Sequence, residues 1–169
     1  GPDAKVSAIA MKSLGTWLNQ PRDKRPPLAK QDFAKAALTK ADTAKARKQL
    51  WADHVTAIRK DRAAEMKARV LSHGKLKMPF HYHVYGKKPK SGRSLYISLH
   101  GGGGTTQAVN DQQGNNQKGL YKPAEGGYLS PRAPTNTWNL WHQGHIDPLF
   151  DRLIEKLIVF VDVDPDRVY

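Results

Sequence analysis

No cysteine occurs in the 169 residues, which excludes disulfides, thiolate metal sites and a cysteine nucleophile. Nor is there a run of about 18 apolar residues, the length that reads as a membrane-crossing helix. The opening GPDAKVSAIAMKSLG has neither the charged leader nor the apolar stretch of a signal peptide. Gly1 and Pro2 resemble the remnant left by a tag-cleaving protease, so the removal of a leader stays open, and localisation with it, secretion and periplasmic export included. Two catalytic signatures are missing as well. No Gly-Lys-Ser/Thr follows the glycines, which argues against a P-loop phosphate cradle and leaves no cofactor expected. No G-x-S-x-G occurs anywhere in the chain.

Acidic residues are scarce, at 15 Asp+Glu against 28 Lys+Arg, for a formal net charge of +13. The imbalance is local. Residues 1 to 75 carry 17 basic against 7 acidic residues, leaving +10, whereas residues 76 to 169 carry 11 against 8, leaving +3. A basic nucleic-acid-binding module is one reading of such a segment, because clustered Lys and Arg release counterions from phosphate. The acids Asp42, Asp53, Asp61 and Glu65 interrupt the basic face, and only Trp17, Phe33 and Trp51 are there to stack on bases. A solvated helical face accounts for the same pattern and is preferred to nucleic acid.

The first segment is rich in Ala, Lys, Arg and Gln, a helical propensity profile. Asp3 is placed to cap a helix running to Asn19, which QPRDKRPP ends because residues before proline leave the α region. A short helix follows from Asp32, and a long one is expected from about Ala41 to Leu71, closed by Ser72-His73-Gly74. A boundary at Gly74 divides a basic helical segment, 1–74, from a β-containing part, 75–169. There Met78–Tyr85 alternates Phe80, Tyr82 and Val84 with Pro79, His81 and His83, as a half-buried strand should. Ser94–Leu99 reads as a more buried strand, and KKPKSGR between them suggests a hairpin. Residues 101–122 read as a long polar loop, and 127–133 as a third strand. From His145 to Val161 an amphipathic helix is expected, with Ile146, Leu149, Phe150, Leu153, Ile154, Leu157 and Ile158 on one stripe. Asp164-Pro165-Asp166 should turn the chain before Arg167-Val168-Tyr169 starts a new apolar segment.

The stretch LYISLHGGGG, Leu95 to Gly104, is the strongest pointer to chemistry. Acyl transfer needs backbone N–H groups aimed at the oxygen that becomes negative in the tetrahedral intermediate, and consecutive glycines permit that close approach. The whole piece MPFHYHVYGKKPKSGRSLYISLHGGGG resembles the opening of α/β-hydrolases of the esterase, polyhydroxyalkanoate-depolymerase and prolyl-oligopeptidase-like kind, and DPDRVY resembles their approach to the nucleophile strand. The resemblance covers roughly Leu76 to Tyr169. It implies the first half of an α/β-hydrolase sheet, with His100, Gly101, Gly102, Gly103 and Gly104 as the oxyanion motif and Gly102 or Gly103 as the donor. It also implies that serine, acid and histidine all lie beyond Tyr169, so that this chain by itself is inactive and associates with the C-terminal remainder of the same protein.

Between the third strand and the amphipathic helix, NTWNLWHQGH packs two tryptophans and two histidines. In the resembled fold Trp138, Trp141 and His142 would line the pocket for substrate, although two tryptophans anchoring a loop read equally well for Trp138 and Trp141. No metal is expected: His142 with His145, or His81 with His83, offers two imidazoles without a third ligand. Asp147 and Asp151 complement the amino end of a helix dipole. The expected fold class is therefore α/β, preceded by a helical segment. The expected function is serine hydrolysis of a small acyl ester, with a peptidase of the same fold and a non-catalytic basic nucleic-acid-binding module as alternatives.

Overall fold

A computed structural model describes all residues from Gly1 to Tyr169. The chain forms two compact units, 1–57 and 58–169. The fold is mixed α/β, with four helices and a five-stranded mixed sheet, and no helix is long and apolar enough to cross a membrane.

In the first unit, helix α1 spans Ala4–Asn19 and opens as its sequence demands, with the Asp3 carboxylate accepting from the Lys5 and Val6 amides. Short 3-10 turns cover the proline-rich link, the last of them at Asp32–Lys35. Helix α2, Lys40–Ala68, begins here. Ser7 is fully buried; its hydroxyl donates to Asp42 and accepts from the Thr39 amide, fastening the start of α2 to α1. Arg25 does the same further along. Its guanidinium grips Asp53 through both carboxylate oxygens, at 2.8 and 2.9 Å, donates to Leu18 O and lies over the Trp17 ring. The paired Arg25 guanidinium holds the Asp53 carboxyl below its ordinary value of 3.8. A depressed carboxyl pKa contributes stability above the unfolded value that is lost as pH falls through the folded one. Wild-type helicity should therefore begin to fall below about pH 4, and Asp53→Asn should remove that acid-dependent part. A pH titration of both proteins by circular dichroism checks this; superimposable acid limbs would contradict it.

In the second unit the sheet comprises β1 (Val70–His73), β2 (Leu76–Tyr85), β3 (Arg93–Ile97), β4 (Gly126–Pro131) and β5 (Val163–Val168), ordered β1-β2-β4-β3-β5. Strand β2 runs antiparallel to both of its neighbours, β1 and β4, and β3 runs parallel to both β4 and β5. Three sequence expectations are corrected here. The long helix stops at Ala68, because Arg69 turns into the left-handed region and Val70–His73 leaves as a strand paired with β2. Strands β2 and β3 do not pair as a hairpin: β4 lies between them, so KKPKSGR is a crossover between strands with no shared ladder. The polar segment after the glycines contains helix α3, Gln107–Gln117, capped by Thr106 Oγ1 on the Val109 amide.

Helix α4, Ile146–Val161, follows the anticipated stripe. Ile146, Leu149, Leu153 and Leu157 are buried against Phe80, Leu95, Leu129 and Val163 of the sheet, each contributing about 1.5–3 kcal/mol by apolar burial. Strand β5 reconciles a turn with a strand. Arg93 pairs with Val163 and Leu95 with Val168, so the intervening residues bulge outward, and the Asp166 amide folds back on Asp164 Oδ1. Beyond the bulge the ladder continues through Tyr169, whose amide donates to Leu95 O.

Candidate functional site

Strands β3, β4 and β5 run parallel, and the loops leaving the carboxyl ends of β3 and β4 meet. In open α/β sheets that edge is where ligands bind. From β3 the chain passes to His100, a side chain only 2% exposed. Its Nε2 accepts from the Ala133 amide at 3.0 Å, so the proton sits on Nδ1, which donates to Gly101 O at 2.7 Å. Burial pushes this imidazole below its ordinary pKa and favours the neutral tautomer those bonds require. His100 thus ties the glycine loop to the segment leaving β4, and both of its ring nitrogens are occupied.

Gly102, Gly103 and Gly104 all have positive φ, at 103°, 79° and 51°, a run that residues with a Cβ adopt only with strain. Crowding enforces the choice at two of them. A Cβ on Gly102 would lie 2.6 Å from Asn110 Oδ1, and one on Gly103 would lie 2.6 Å from Thr137 O and 2.9 Å from Leu140 Cγ. The two anticipated donor amides differ in their surroundings. Gly103 N–H donates to Asn110 Oδ1 at 2.7 Å, whereas Gly102 N–H has no acceptor within the chain. Asn110 is itself fully buried in α3, and its Nδ2 donates to Thr106 O at 3.1 Å. One side chain therefore fixes both the loop and the helix start.

No family model, curated protein or solved structure matches this chain.

The segment after β4 is held by Arg132. Its Nε donates to Asp111 at 2.9 Å, Nη1 to Ala133 O and Thr135 O, and Nη2 to the Asn136 side chain. Trp141 Nε1 donates to His100 O at 2.9 Å, and its ring meets His100 edge-on and touches Phe150. This is the anchoring arrangement. Trp138 is 84% exposed beside Gly104, and His142 is exposed just beyond Trp141, its amide donating to Asn139 O. The structure thus brings the glycine loop to Trp138 and Trp141. No three His, Asp or Glu side chains converge on a point that could hold a metal ion.

Asn110, Arg132 and Asp111 escaped sequence reasoning. All three lie in polar segments where no periodicity marks them; the one available signal was Thr106, a plausible N-cap immediately after the glycines. What the arrangement offers chemically is an unengaged backbone amide, Gly102, in the loop that follows β3, next to Asn110 and two residues before Gly104, against which the exposed Trp138 lies. Such a group can stabilise an oxygen that gains negative charge, without reorganising as it does so.

Proposed function

We propose that this chain supplies the oxyanion-stabilising part of a serine hydrolase of the α/β-hydrolase kind, acting on acyl esters, with serine, acid and histidine supplied by residues outside 1–169. The observation that carries the reading is the place of the glycine loop. It joins the third strand to the helix that follows, where HGGG-type esterases draw one oxyanion N–H from the corresponding loop. His100 at the head of the loop and the free Gly102 amide agree with it. In this reading Gly102 is the donor, Gly103 is the residue through which Asn110 steadies it, and Trp138 borders the acyl site.

The mechanism asks little of these residues beyond position. As a serine oxygen adds to the ester carbonyl, the carbonyl oxygen becomes anionic and accepts from the Gly102 amide. The bond to the alcohol then breaks, and water releases the acyl group by the same route. The test uses the natural protein containing these residues, isolated with whatever polypeptide accompanies it and assayed on p-nitrophenyl esters and aminoacyl anilides. Ester turnover that an organophosphonate blocks is expected, and Asn110→Ala, which frees the loop that positions the donor, should lower kcat with little change in KM, by up to the roughly 100-fold that an oxyanion donor contributes. Turnover confined to anilides would indicate the peptidase. Absence of both activities would refute the proposal.

A further inference from the structure

On the sheet face that carries α3, strands β2 and β4 and the helix border a half-open cavity of about 280 Å³, lined by His81, Asn115, Lys118, Ser130, Arg132 and Asp111 among others. The geometry points to a binding site for a small oxyanion, the phosphate or carboxylate group of a low-molecular-weight ligand, held by the Lys118 ammonium and the Ser130 hydroxyl with His81 and Asn115 beside them. This site stands apart from the hydrolase reading and needs no reaction.

Ser130 supplies the first argument. It is 3% exposed, and its Oγ has no hydrogen-bond partner, an expensive condition for a buried hydroxyl. Its cross-strand partner is His81, so the two polar side chains share one face of the β2·β4 ladder. Charge supplies the second. The one carboxylate bordering the cavity, Asp111, is taken by Arg132, and the Arg132 guanidinium is spent on Asp111, Ala133 O, Thr135 O and Asn136. Lys118 is left outside any ion pair. The lining is therefore rich in donors, carries one uncommitted positive charge and holds no uncommitted acid, the complement of an oxyanion. Burial depresses the His81 pKa, and the nearby positive charges of Lys118, His83 and Arg69 depress it further, as an unneutralised positive potential would.

The volume admits a phosphate or carboxylate together with a few further atoms, and the remainder of a ligand would extend through the open side. To test this, the 169-residue chain is titrated separately with sodium phosphate, sodium acetate and sodium chloride at constant ionic strength, following the His81 imidazole resonances. Saturable shifts with phosphate, acetate or both, and none with chloride, are expected; the anion that saturates at the lower concentration identifies the group. Lys118→Gln should weaken that binding at least about tenfold, the loss of one charge-assisted contact, and Ser130→Ala should weaken it several-fold. Lys118 is exposed, so its replacement leaves the fold intact, which circular dichroism verifies. Shifts that stay linear in all three salts, or saturation that Lys118→Gln leaves unchanged, would overturn the site. Ester hydrolysis does not enter the measurement, so its presence or absence leaves this conclusion untouched.

Discussion

Glu65→Ala should lower the free energy of unfolding by about 3–5 kcal/mol, the cost of leaving a buried charge unpaired. The charge is Lys156. Its side chain is buried in α4, fully screened from solvent, and its ammonium meets the Glu65 carboxylate near the end of α2 and lies 5.9 Å from the centre of the Phe80 ring. Glu65 also accepts from Arg152 at 3.2 Å. Burial is the largest influence on Lys156 and depresses its pKa; the Glu65 hydrogen bond and charge act in the opposite direction. Between that depressed value and the ordinary 10.5 the unfolded chain binds more protons than the folded one, so stability rises with pH through that window. Without Glu65 the window must extend toward neutrality. A double variant, Glu65→Leu with Lys156→Met, should recover most of the loss, because a buried pair is replaced by apolar groups of similar volume. Urea unfolding midpoints of the three proteins at pH 7 and pH 10 decide the matter, and a Glu65→Ala midpoint equal to wild type would show that the pair is not needed.

The second large effect belongs to the glycine loop. Gly103→Ala is expected to cost about 2–4 kcal/mol or to expel the 137–140 segment, because the new Cβ meets a backbone carbonyl in a conformation that already strains any L side chain. The neighbouring Gly101→Ala serves as its control, since that Cβ would have open space and an ordinary φ. Tryptophan fluorescence reports the expulsion, through Trp138 beside Gly104 and Trp141 on His100 O. Equal unfolding midpoints and equal emission for the two alanine variants would contradict the packing described.

Legibility from the sequence divided along physical lines. Asp3, the α4 stripe and the alternation in β2 were readable because caps and periodicities are local signals. Strand β1 was not, since Val70–His73 follows a 29-residue helix directly and has only four residues in which to alternate. Helix α3 was hidden by its composition: QAVNDQQGNNQ holds three asparagines, an aspartate and a glycine, all poor helix formers. Its helicity rests on Thr106 and on tertiary contacts, and a Cβ on Gly114 would stand 3.3 Å from Arg132 Cδ. The glycine loop itself was visible in the sequence; the role of Asn110 was not, because a hydrogen bond between positions seven apart in an irregular segment leaves no pattern. Strand order was also beyond reach, as pairing β2 with β3 and inserting β4 between them demand the same residues in the same alternation.

The place of β4 has a consequence for the order in which this chain can acquire its form. Strands β2 and β3 precede it in the sequence, yet each borders it in the sheet. A nascent chain that has emerged through Ile97 holds two strands whose facing edges wait for residues 126 to 131. At a synthesis rate of about 5–20 residues per second that interval lasts about two to seven seconds. His100 waits equally long for the Ala133 amide, and the glycine loop waits for Thr137 and Leu140. The central ladder and the loop it supports therefore form together, after an interval in which the facing edges of β2 and β3 present unpaired backbone N–H and C=O groups.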